Sequence, residues 1–403
     1  MSESTGHVLI APDKFKGSLT GAEVAARVAA GLGPDVVTVA LPVADGGDGT
    51  VDAVVACGFT RVEVEVTGPT GQPVRAAYAW REPAGAGEAG PSVVPSPVDG
   101  VPTAVVELAE ASGLRRLPGG LQALTATSYG TGELIAHAVR RGARRIVLGL
   151  GGSACTDGGT GMMRALGVRF LDASGQELPP GGAALRSLEK IDKSGLMAMD
   201  DVEFVVASDV DNPLLGPHGA AAVYGPQKGA SPEEVKLLEG ALARLAAVAA
   251  HTHGLAGAIE HDGIVRPMGV AAQPGAGAAG GVGFAALAFL AADIRPGIEY
   301  LLDLLGFHDR LDGARLVITG EGSLDEQTLH GKAPAGVAAA AAKAGVPVVA
   351  VCGRRALGDE ELNAAGITAA YALTDIEPDP AVCMAEAGPL LERLAREVAR
   401  RHL

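Results

Sequence analysis

Two loops of this sequence set acidic side chains among glycines. Asp45-Gly46-Gly47-Asp48-Gly49 and Asp157-Gly158-Gly159-Thr160-Gly161 each follow an apolar run and open a helix-like stretch. Glycine permits positive φ and lets backbone N–H groups come close to a ligand. A helix N-terminus adds partial positive charge, which keeps a neighbouring carboxylate ionised. Such a carboxylate can coordinate Mg²⁺ or accept a proton from a hydroxyl. A lone aspartate there reads as an ordinary N-cap. The repeat makes Asp45 and Asp157 candidates for catalysis and for metal binding.

Other side chains of suitable chemistry sit just past apolar runs. Lys14 and Lys16 follow "HVLIAPD" and suit a carboxylate or a phosphate, although a solvated basic loop has the same pattern. Asp209 ends "VEFVVAS" and points toward a cleft if that run is a strand. Glu321 follows "LVITG", and Lys332 is a candidate partner for it. Gly151, Gly152 and Ser153 offer backbone donors, as do Gly275, Gly277 and Gly280 in "PGAGAAGGVGF".

Positions 149, 151 and 154 fit a GxGxxA dinucleotide fingerprint, with Asp172 ending the next strand. This keeps an NAD-dependent oxidoreductase open as an alternative, although Asp157 would face a pyrophosphate unfavourably. No Walker A or protein-kinase signature is present. Cys57, Cys155, Cys352 and Cys383 lack metal or redox spacing, which suggests reduced thiols.

The elements that must position these groups alternate strand and helix. "HVLIAPD" and "VVTVALPVAD" read as strands, with a helix between them capped by Ser18 or Thr20 and stopped at Gly33. "ARLVITGEG", "VPVVAVCG" and "ITAAYAL" return to the same grammar near the C-terminus. Both chain ends together predict a five-stranded, parallel, doubly wound α/β domain. "RVEVEVTGPTGQPVRAAYAW" reads as a β-hairpin, and further βα units follow it. The expected division is 1–63 with 294–403 as one domain. Residues 64–293 form an inserted mixed α/β domain, with a flexible insertion at 82–102.

The chain has 403 residues and a formal charge of −15, which argues against nucleic-acid and anionic-membrane partners. The N-terminus shows no signal-peptide pattern, and no apolar window reaches the ~20 residues of a membrane span. A cytoplasmic protein is expected.

The stretches "IAPDKFKGSL", "LPVADGGDGT", "ATSYGTGELI", "GLGGSACTDGGTGM", "SDVDNPLLGPHGAAAVYGPQKGA", "GAGAAGGVG" and "LVITGEGSLDEQTLHGK" occur in one order. That series resembles the bacterial two-domain glycerate kinases. The resemblance implies a flavodoxin-like domain carrying an inserted α/β domain. It also implies phosphorylation of D-glycerate by ATP with Mg²⁺, with 2-phosphoglycerate as the associated product. A non-catalytic glycerate- or nucleotide-binding protein is the remaining alternative.

Overall fold

The computed structural model describes residues 6–83, 100–253, 258–261, 264–267, 269–329 and 331–403. The insertion expected at 82–102 lies mostly outside them.

Val8, Leu9 and Ile10 are wholly buried, so the first strand, His7–Pro12, needs cover on both faces. It lies inside a five-stranded sheet in the order Ala369–Ala372, Val348–Arg355, Ala314–Leu324, His7–Pro12, Thr38–Ala40. Every pairing in that sheet is parallel. In chain order the strands run 2-1-3-4-5, the flavodoxin-like arrangement.

A second sheet has six strands, in the order Asp293–Arg295, Glu203–Ala207, Arg145–Gly149, Thr103–Glu107, Pro73–Arg81, Thr60–Thr67. Its first four strands are parallel. The last two form the predicted hairpin, closed from Thr67 to Pro73, and it joins its neighbour antiparallel. The domain limits expected at 63/64 and 293/294 fall within the outer strands of this sheet.

The sheets share a layer of helices. Val51 and Val54 of Thr50–Ala56, Ile298 and Leu301 of Gly297–Leu304, and Val337 of Ala333–Lys343 belong to one core. That core also takes Leu9 and Val317 from one sheet and Val105 and Val147 from the other. Helices Gly21–Leu32 and Ala387–His402 cover the outer face of the five-stranded sheet through Val24, Val28, Leu391 and Leu394. Thr20 caps the first of these with a reciprocal capping box, and Gly33 ends it. Tyr129–Arg140 and Ala278–Leu290 pack into the core of the six-stranded sheet.

Two readings change in detail. The strand at Ala314 runs on through Glu321 to Leu324, because Glu321 and Ser323 keep pairing with Cys352 and Arg354. The run after Ala40 leaves regular structure but keeps bonding to the first strand. Leu41 N–H donates to Ile10 O at 2.8 Å and Val43 N–H to Pro12 O at 2.9 Å. This carries Asp45 to the carboxyl end of the sheet. Among the described residues no helix is long and apolar enough to cross a membrane.

Candidate active site

A cavity of about 580 Å³ opens over the carboxyl ends of the first, third and fourth strands of the five-stranded sheet. Lys14, Lys16, Asp45, Glu321 and Lys332 line it, so five sequence-predicted residues meet there. Asp45 also lines an adjoining pocket of about 170 Å³ with Asp209, Gly47, Gly151 and Ala279. Asp45 therefore stands where the two spaces meet.

Sequence reasoning passed over Asp13 and Arg354, which line the same cavity. The signal for Asp13 was its place immediately after the first strand. Burial, opposed by Lys14 and reinforced by Asp45, raises the Asp13 carboxyl to about 6. Its Oδ1 accepts from Lys14 N–H at 2.6 Å and lies 3.4 Å from the Lys14 ammonium. Burial acts to lower the Lys14 ammonium, but Asp13, Asp45 and Asp48 together outweigh it and raise it.

Glu321 is buried and accepts from the Thr328 hydroxyl, with Lys332 Nζ 3.7 Å from its Oε2. Burial, against the Thr328 bond and Lys332, raises its carboxyl to about 7. Lys332 also reaches Asp325 at 3.7 Å. Asp209 accepts from Gly297 N–H at 2.9 Å while one edge stays open to solvent. Desolvation beneath it and repulsion from Asp45 push its carboxyl upward.

Asp157 lies elsewhere. It is 0% exposed, and its oxygens accept from Ser128 N–H at 2.8 Å, Gly159 N–H at 3.0 Å and Gly161 N–H at 3.2 Å. The Ser128 hydroxyl adds a bond at 2.9 Å. This carboxylate is consumed inside the fold, and the helix cap beside it is Gly159 in the left-handed region.

The glycine loops pack against one another. A Cβ on Gly151 would sit 2.4 Å from Gly47 Cα, and the Gly151 N–H donates to Gly46 O at 3.3 Å. Gly152 is exposed, and Ser153 bridges to Gly113. Gly275, Gly277 and Gly280 are buried. Gly277 N–H is bonded to Asn212 O at 2.8 Å, and a Cβ on Gly280 would strike Cys155 O at 2.2 Å. Gly151, Gly277 and Gly280 are thus packed against neighbouring backbone. Asp172 binds its own turn through Ser174 and Gln176 N–H, at the end of a strand paired antiparallel with Lys190–Asp192. That is no partner for a ribose, so the dinucleotide fingerprint fails.

A second positioning system surrounds the first loop. Glu107 is buried and accepts from Gly49 N–H at 3.1 Å and Val51 N–H at 3.0 Å, capping Thr50–Ala56 from the other sheet. Arg115 joins Glu107 at 3.3 Å to Asp48 at 2.6 Å.

Fold and site together define an α/β protein with a charged cavity over the carboxyl ends of a parallel sheet. Residues 8–403 match the model of the Glycerate kinase family. A glycerate kinase of Bacillus subtilis (strain 168) is 41% identical over 398 residues, 97% of this chain and 96% of that one. A glycerate 2-kinase of Escherichia coli (strain K12) is 42% identical over 353 residues, 86% of this chain and 84% of that one. A crystal structure from Salmonella typhimurium LT2, of a candidate glycerate kinase 2, aligns with TM-score 0.79 and 39% identity over 98% of each chain. The chain belongs to the glycerate kinase family, enzymes that use ATP to phosphorylate a hydroxyl acceptor. The oxidoreductase and non-catalytic alternatives are set aside.

Proposed function

We propose that the protein transfers the γ-phosphoryl group of ATP to the 2-hydroxyl of D-glycerate, giving 2-phosphoglycerate, as a cytoplasmic enzyme with Mg²⁺. One observation carries the reading. Lys14, Lys16 and Lys332 converge with Asp13, Asp45 and Glu321 over the carboxyl ends of a parallel sheet. Ligands of open α/β sheets bind at that end. Phosphoryl transfer asks mainly for positioning and charge stabilisation, which such a set supplies.

The donor set fits Mg²⁺. Asp13 and Asp45 are hard oxygen donors near each other with Lys14 beside both, and no cluster of three or more metal-ligating side chains occurs among the described residues, so they suit an ion that brings phosphate and water oxygens as its other ligands. Asp13 and Asp45 would hold the ion, which when bound offsets charge on the phosphate oxygens. The Lys14 ammonium, fixed by Asp13, donates to the transferring phosphoryl group. Asp209, held by Gly297 N–H, accepts the proton of the attacking hydroxyl; its raised carboxyl suits a base working near neutrality. Lys16 and Lys332 orient anionic groups. Asp157, Gly151–Ser153 and the glycines at 275–280 brace the loops. In this reading the two chain ends form one domain and the middle of the chain the other, with limits moved outward from 63/64 and 293/294 to the strand ends.

The test is ADP release with ATP and D-glycerate, with the product passed directly to enolase. The expected outcome is D-glycerate-dependent ADP and conversion by enolase alone. Conversion that needs an added phosphoglycerate mutase would place the phosphate on the 3-hydroxyl.

A further inference from the structure

The cavity over the five-stranded sheet differs in chemistry from side to side. Toward the glycine loops it is charged. Lys14 runs so close to the first loop that a Cβ on Gly49 would meet its Cδ at 2.9 Å. Toward the C-terminal helices the wall is apolar, formed by Phe15, Leu373, Pro380, Cys383 and Met384. Phe15, Leu373 and Cys383 belong to the core beneath. Met384, on helix Pro380–Ala385, is 54% exposed. A Cβ on Gly17 would lie 3.1 Å from its Cε, so the thioether leans over the turn after the first strand. Arg354 also lines the cavity; it is exposed, and its side-chain bond is a long one of 3.5 Å to the Ser323 hydroxyl.

An apolar end and a charged end that carries Lys14, Lys16 and Lys332, in about 580 Å³, match a nucleoside triphosphate laid lengthwise. At about 170 Å³ the smaller pocket, which carries Asp45 and Asp209, has no room for a nucleotide. We propose that the nucleotide base binds against Met384 and Pro380, with the ribose and phosphates passing Arg354 toward Lys14 and Asp45. The inference rests on the reading that the enzyme uses ATP. It places the base on the C-terminal helix Pro380–Ala385 rather than on either glycine-rich loop. A methionine suits this task, because its polarizable sulfur packs well against aromatic rings and its side chain adapts to them.

Two measurements on the full chain test it. The first is calorimetric titration of Met384→Asp and Met384→Leu with the non-hydrolysable analogue AMP-PNP. M384D should weaken binding about tenfold and raise KM for ATP alike, with kcat and KM for D-glycerate unchanged, while M384L should bind like the parent. Unchanged AMP-PNP affinity in M384D overturns the subsite. The second is photolabelling of the parent protein with 8-azido-ATP, which should mark the peptide around 380–385. Labelling confined to 275–283 overturns the proposal even where M384D fails to fold. Parent protein that forms no ADP from ATP and D-glycerate sinks the kinase reading instead.

Discussion

At the scale of single residues, Asp45 and Asp157 part company although their loops look alike. Asp45 Oδ1 accepts from Gly47 N–H at 2.9 Å and its side chain faces two open spaces. Asparagine can keep that bond, so Asp45→Asn should melt like the parent while kcat falls about 100-fold or more. Near-parental turnover removes Asp45 from the reaction. The opposite holds for Asp157→Asn. An amide offers one acceptor where several N–H groups converge and turns its own donors toward them. Two or more unmet buried bonds should cost about 2–4 kcal/mol, read by urea denaturation. Sequence alone favoured this aspartate for the site, because a strand, a glycine turn and a carboxylate look the same whether the carboxylate faces a cleft or the Ser128 backbone. The difference depends on a segment about thirty residues away, which spacing in the sequence does not reveal.

At the scale of elements, helix Thr50–Ala56 has no side-chain cap of its own, since Gly49 holds the position. Glu107 supplies the cap from the neighbouring sheet. Burial, against bonds from Val51 and Gly49 and the charge of Arg115, raises its carboxyl from an ordinary 4.5 to about 7. Below 4.5 it is neutral in folded and unfolded chains, and above about 7 it is charged in both. Between those values the folded chain keeps the extra proton, so this group's contribution to stability falls as pH rises through the window. The advantage of the parent over Glu107→Gln should therefore shrink by roughly 3 kcal/mol from pH 4.5 to 7, measured by denaturant midpoints at each pH. The touching glycine loops give a second expectation. Gly151→Ala must displace Gly47 and should cost about 1–3 kcal/mol together with activity, because the displaced loop carries Asp45. Strand and helix order in both units was legible, because apolar runs and glycine stops mark them. The service of the glycines was not. Loop-to-loop packing and phosphate cradling call for the same residue, and only tertiary contact separates them.

At the scale of the whole molecule, the two chain ends depend on each other. Leu391 and Leu394 of the last helix share a core with Val24 and Val28 of the first. Leu391→Ala should cost about 2–5 kcal/mol in a thermal or denaturant melt. The net charge of −15 agrees with small, locally held anions rather than polyanions as ligands. The sheet that carries the site has a further consequence, in time. Ala11 and Thr319 are bonded neighbours 308 positions apart. At about 5–20 residues per second, a ribosome needs roughly 15–60 s to make that stretch. Throughout that interval the first strand lacks its neighbour at Ala314–Leu324, and before it ends all the strands of the six-stranded sheet have been made. Nascent chains arrested before residue 314 should resist protease across 103–253 and be cut around the first strand. Birth order and spatial order are opposed here, and the five-stranded sheet is the last part of the molecule to close.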